Sequence, residues 1–200
     1  MEIGHPAGFP ANFWGFISIL IISERRFPKF VTNPLTMVKR IFFFLLLLFV
    51  VIQFVRPAKN NSGDRSKDIS LLYKMPDSVK EILQRSCADC HSNQTTYPWY
   101  DEIQPVAWWV GNHIRDGKRH FNLNNFTALR PAVQKRKMEE CIDQIRDDEM
   151  PLGSYTLVHT NAKLSDTDKD ALTTWFQGVV DSLKAHYPAD SLVLKGRKVH

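Results

Sequence analysis

Cys87-Ala88-Asp89-Cys90-His91 is the stretch from which the rest of the chain is read. Two thiols three residues apart, followed directly by an imidazole, form the C-x-x-C-H pattern by which c-type haem is attached. On a helical turn each sulfur can add to one vinyl group of a porphyrin, and the adjoining imidazole then lies beneath the iron. The pattern implies one covalent haem c, bonded through Cys87 and Cys90 and ligated on one face by His91. A bare C-x-x-C also serves thioredoxin-like redox sites and zinc sites. The first needs a βαβ setting and the second another ligand pair at suitable spacing. Neither is present: the remaining cysteine, Cys141, lies fifty-one residues beyond Cys90 and reads as a small apolar residue on a helix with Met138, Ile142 and Ile145.

Outward from the motif the apolar spacing is helical. Asp77 is an N-cap candidate, and Val79, Ile82, Leu83 and Ser86 lead along one helix face into Cys87. Pro105 opens a second helix, near Pro105 to Ile114, with Val106, Trp109, Val110 and His113 on one side. A third spans roughly Val133 to Arg146. Ser165 with Asp168 resembles a capping box for a fourth, whose stripe is Leu172, Phe176, Val179 and Leu183. Strand signals are few, so the fold class expected is all-α. Three cysteines cannot make a disulfide framework for 200 residues, and a helical core does not need one.

Upstream, Ile41 to Val55 reads IFFFLLLLFVVIQFV, interrupted only by Gln53 and flanked by Lys39-Arg40 and Arg56. No small-x-small cleavage site follows, so residues 37–56 are expected to form an uncleaved transmembrane signal anchor. The basic flank places the N-terminus in the cytoplasm and the remainder outside. Residues 1–36 contain Pro6, Pro10, Pro28 and Pro34, and Met37-Val38-Lys39-Arg40 is a complete basic leader by itself; the expectation is that 1–36 is a non-native or disordered extension. Residues 57–70 begin with the polar PAKNNSGDRSK and read as a flexible tether. Residues 71–190 then form the haem-binding domain and 191–200 a tail. The formal charge of +5 belongs mainly to the membrane end, because five of the 26 basic and two of the 21 acidic residues precede Ile41 and leave only +2 downstream. That balance argues against a nucleic-acid partner.

Aromatic residues crowd the region after the motif. Tyr97, Trp99 and Trp109 are the candidates for contact with a flat apolar ring whose propionates accept hydrogen bonds, core packing being the alternative for each. For the second face of the iron the candidate is Met150, which precedes Pro151 fifty-nine residues after His91, directly beyond the third helix. A thioether is a neutral, soft ligand that favours ferrous iron. His159 competes for that position, and Met150 could instead fill core.

Taken together, Cys87 to His91, Ser92-Asn93, Tyr97-Pro98-Trp99-Tyr100, Ile103 to Trp109, Glu149-Met150-Pro151-Leu152 and Ser154-Tyr155 resemble the small membrane-anchored haem-binding domain family of bacterial cytochrome c-like proteins. The likeness runs from Met37 to about residue 195. It implies a cytochrome c-like helical domain behind an N-terminal anchor, and no particular pathway. The function expected is a monohaem electron carrier on the outer face of a bacterial cytoplasmic membrane, single-pass, facing the periplasm, with redox proteins as partners. An enzyme or gas sensor with a vacant distal position, using His113, His120 or His159 as an acid–base group, is one alternative. A haem-binding protein without a redox role is the other.

Overall fold

A computed structural model describes residues 33–194. They contain seven α-helices joined by short 3-10 turns, with no β-strand among them. The division between two compact units falls inside the first helix, after Leu48. Residues 1–32 lie outside the described set, as do 195–200.

Helix α1 (Pro34–Ile52) opens with proline at its first position, where a missing N–H costs nothing, and the Asn33 side chain accepts from the Leu35 amide at 3.2 Å. It has 19 residues, none of them buried, and a mean hydropathy of 2.5. At 1.5 Å per residue it is about 28 Å long, close to the thickness of a bilayer's hydrocarbon core. The helix begins three residues ahead of Met37 and ends just before Gln53.

The helical body is built on α2 (Asp77–Ser86), α5 (Pro131–Arg146) and α7 (Asp166–His186). Val79, Ile82 and Leu83 of α2 meet Met138, Ile142 and Ile145 of α5 and Leu172, Phe176, Val179, Val180 and Leu183 of α7 in one cluster. Phe126 is wholly buried beside them, from the 3-10 turn Leu123–Ala128. Each such side chain contributes about 1.5–3 kcal/mol by leaving water. Cys141 packs against the same cluster, and burial pushes its thiol up to about 12, in keeping with an apolar role. The expected capping box is formed: the Ser165 side chain accepts from the Asp168 amide, and the Asp168 carboxylate accepts from the Ser165 amide. Asp77 takes the first helical position of α2, after Pro76, instead of the cap. Helix α4 (Val106–His120) runs six residues past the expected end at Ile114.

Three features had no counterpart in the periodicity. Helix α3 (Ala88–His91) is one turn, and α6 (Gly153–Val158) is short with no buried residue. The third is the segment read as a tether, which lies against the body. Asn60 gives its amide to the Tyr97 hydroxyl at 2.6 Å and its side-chain NH2 to Ser92 O and Thr95 Oγ1, both at 2.9 Å, while its own carbonyl accepts from Thr95 N. Further along, Gly63 N donates to Asn93 O, and Asn93 Nδ2 donates to Asp64 O. Upstream, Gln53 and Gln104 exchange side-chain and backbone hydrogen bonds, and Trp108 donates to Val55 O at 2.7 Å.

Candidate haem site

The attachment motif is a break and a turn. Helix α2 stops at Ser86, Cys87 takes φ −129° and ψ −36°, and α3 starts anew with Cys90 N and His91 N both donating to Cys87 O. One turn therefore carries both sulfurs, three residues apart, and presents His91 at its end. Ser86 and Ala88 are buried, so core packing fixes this turn on both sides of Cys87.

Helix α4 closes over it. A Cβ on Gly117 would lie 2.7 Å from Cys90 O and 3.2 Å from Cys90 Cβ, so a glycine is required where the two backbones meet. Just past the end of α4, the Phe121 carbonyl lies 2.9 Å from His91 Nδ1, and the Phe121 ring tilts against the imidazole at 5.8 Å. Burial lowers the His91 pKa, only partly offset by the carbonyls of Phe121 and Gly117. A neutral ring that donates Nδ1–H to Phe121 O keeps its lone pair on Nε2, the tautomer an iron ligand needs.

Burial pushes Cys87 up to about 12 and Cys90 up to about 11, the opposite of the lowered values that make reactive thiolates. Among the described residues no group of three or more His, Cys, Asp and Glu side chains is arranged to hold a bare metal ion. The donor set of two protonated thiols and one oriented imidazole on a single turn fits a porphyrin joined at its edge.

The remaining candidates occupy distinct places. Tyr97 is half-buried, its hydroxyl taken by Asn60 and its ring 5.0 Å from Lys59 Nζ, so it fastens the segment after α1. Trp99 is 77 % exposed and meets Tyr100 edge-on at 5.9 Å. Trp109 is 49 % exposed and lies 4.2 Å from the ring of His113, on the side of α4 that continues through Val110 to Gly117. His113 Nδ1 faces the Trp109 carbonyl, and His120 is exposed. Met150 is half-buried in a loop that leaves α5 through Asp148, a residue at φ 59°. The amides of Glu149 and Met150 both return to Gln144 O. Pro151 and Leu152 then lead into α6.

A cluster that the sequence did not single out joins α6 to the motif. Tyr155 donates its hydroxyl to Asp89 Oδ2 at 2.8 Å, and the other Asp89 oxygen accepts from Thr96 N at 2.9 Å. The Tyr155 ring stacks on His159 at 4.3 Å, and His159 Nε2 is 2.7 Å from the Tyr100 hydroxyl. Burial, then the bonded Asp89 carboxylate, raises the Tyr155 phenol well above its usual range. Asp89 reads as a filler position in C-x-x-C-H, and only the four-residue spacing of Tyr155 and His159 hints at a shared face.

A family model described as a haem-binding domain matches residues 47–178, from the last turns of α1 to within α7. Neither a curated protein nor a solved structure matches the chain. The matched span includes the motif turn, the Gly117 and Phe121 contacts that orient it, and the Met150 loop, and on that match the chain belongs to the haem-binding domain family.

Proposed function

We propose that the protein is a membrane-anchored, monohaem, cytochrome c-like electron carrier. The observation that carries this reading is His91 Nδ1 set against Phe121 O on the same turn that bears Cys87 and Cys90. Cys87 and Cys90 hold the ring by thioether bonds, and His91 Nε2 ligates the iron. Trp99 and Trp109, both exposed, and Tyr97, whose hydroxyl accepts from the Asn60 amide, would be the aromatic contacts. Met150 would be the second protein ligand to the iron. His159, its competitor, has Nε2 already paired with Tyr100, which favours the thioether. Held by His91 and Met150 together, haem c would supply a one-electron couple and leave no position for substrate. Helix α1, which has no buried residue and is long enough to cross a bilayer, is the anchor. The basic residues ahead of its apolar run put the haem domain on the outer, periplasmic side of a bacterial cytoplasmic membrane.

The test begins with acid–acetone extraction of the denatured full chain, from which covalently attached haem should not separate; free extraction would overturn the attachment. Ferrous absorption bands that do not respond to carbon monoxide are the outcome expected of a carrier. A prompt shift would give the chain instead to the class of haem enzymes and gas sensors.

A further inference from the structure

Helix α6 has no buried residue, with Leu157 81 % and Val158 59 % exposed, so apolar packing does not hold it. Two polar contacts do. Tyr155 reaches Asp89 at 2.8 Å, and His159, directly after the helix, reaches Tyr100 at 2.7 Å. The stacked rings of Tyr155 and His159 make the two contacts one unit. Asp89 stands between the two attachment cysteines and two residues before His91, so this clasp ends on the element that carries the proximal ligand.

On its other side the helix is continuous with Met150. The amides of Tyr155 and Thr156 both donate to Leu152 O, so regular structure begins two residues after Met150. Upstream, Met150 N is held by Gln144 O at the end of α5. The loop bearing Met150 is thereby stretched between α5 and the clasp. A hydrogen bond to a carboxylate contributes more than a neutral pair, and nothing else in the short helix replaces it.

We infer that Tyr155, bonded to Asp89 and backed by the His159–Tyr100 pair, is the positioning residue that sets where the Met150 sulfur is delivered. The inference rests on the reading of Met150 as the distal ligand. In it Tyr155 touches neither the iron nor a partner; it acts through the loop. The residue that competes with Met150 in the sequence, His159, becomes part of the device that places it.

The experiment uses the full chain with haem attached, in detergent, and reads three quantities: the haem-stained band, the far-red sulfur-to-iron band of the ferric form, and the rate of carbon monoxide binding to the ferrous form. Tyr155→Phe keeps the ring stack and loses only the hydroxyl. It should retain covalent haem, weaken the far-red band and speed carbon monoxide binding by about tenfold, the scale of one lost charge-assisted hydrogen bond. Asp89→Asn removes the charge and leaves one acceptor oxygen for two donors, the Tyr155 hydroxyl and the Thr96 amide, so it should move the same readouts in the same direction as Tyr155→Phe. Tyr100→Phe, which loosens the other end of the clasp, should move the same readouts in the same direction by less. Met150→Ala is the reference. If it leaves the far-red band intact, the ligand reading itself fails. If it abolishes the band while Tyr155→Phe behaves as wild type, the ligand stands and the clasp is overturned. Should Tyr155→Phe accumulate without haem, the decision passes to Tyr100→Phe, and an unchanged carbon monoxide rate there overturns the inference.

Discussion

The turn that carries Cys87, Cys90 and His91 and the helix that follows Met150 are held in place by different means. The turn is continuous with α2, whose Val79, Ile82 and Leu83 enter the central cluster, and Gly117 of α4 packs onto its backbone. Helix α6 sends nothing into that cluster and depends on two hydroxyl groups. Core packing is stiff, because every displaced methylene loses close contacts, whereas a hydrogen bond contributes about 1 kcal/mol net and can be exchanged for water. The turn that bears the two cysteines and His91 is therefore the rigid element, and the helix after Met150 is the one a single substitution can retune.

The largest expected effect strikes the rigid side directly. Changing Cys87 and Cys90 together to alanine should leave no haem-stained band on a denaturing gel, and a band of wild-type intensity would remove the distinction between the two sides along with the attachment. Next in size is the support beneath the turn: Phe126→Ala empties a fully buried site and should cost about 3–5 kcal/mol in chemical unfolding. A loss below 1 kcal/mol would mean that the core does not brace the motif. Gly117→Ala sharpens the contrast, since its methyl group would meet the Cys90 backbone with no flexible side chain to yield. About 1–3 kcal/mol of destabilisation, together with a lower yield of attached haem, is expected. Unchanged stability and yield would show that α4 does not press on the turn.

The smallest effect lies where α2 meets α7, remote from the clasp. Asp168 accepts from the Ser165 amide and hydroxyl and from Arg85 at 2.9 Å, and these contacts, the Ser165 backbone first, hold its carboxyl below the ordinary 3.8. A lowered folded value stabilises the protein above the unfolded pKa, and the contribution is lost as pH falls through the folded value. Asp168→Asn should cost about 1 kcal/mol at pH 7, with the gap to wild type closing as the pH falls below 3.8. A pH-independent difference would assign the effect to packing.

Those parts of the molecule whose cause is local were legible in the sequence. C-x-x-C-H specifies a turn, Ser165 and Asp168 specify a helix start, the apolar run specifies α1, and the stripes of α2, α5 and α7 name the core nearly residue by residue. What escaped was fastened at long range by polar atoms. Tyr155 is sixty-six residues from Asp89, and Tyr100 fifty-nine from His159. Hydroxyl partners at such separations leave no period to detect. Polar composition misled in the same way after α1: Pro57 to Lys67 has too little apolar surface to be held by packing, and Asn60 and Asn93 hold it by hydrogen bonds instead. Gly117, one glycine among nine, shows its purpose only once Cys90 lies against it.

That seated segment has a consequence for encounter. Eleven unrestrained residues of its composition would let the two ends wander over a root-mean-square distance of about 18 Å. Fixed by Asn60, Gly63 and Asn93, and preceded by the Gln53–Gln104 exchange, the segment is held along the body that follows it. On the proposed reading of α1 as an anchor and of the domain as an electron carrier, a segment without slack would keep the carrier from shuttling across a gap to find its partner. On that reading a partner would come to the carrier, by sliding within the bilayer or by arriving from solution at one set level. Flexible residues inserted after Gly63 would then lengthen the chain without lengthening its reach for as long as those amides hold.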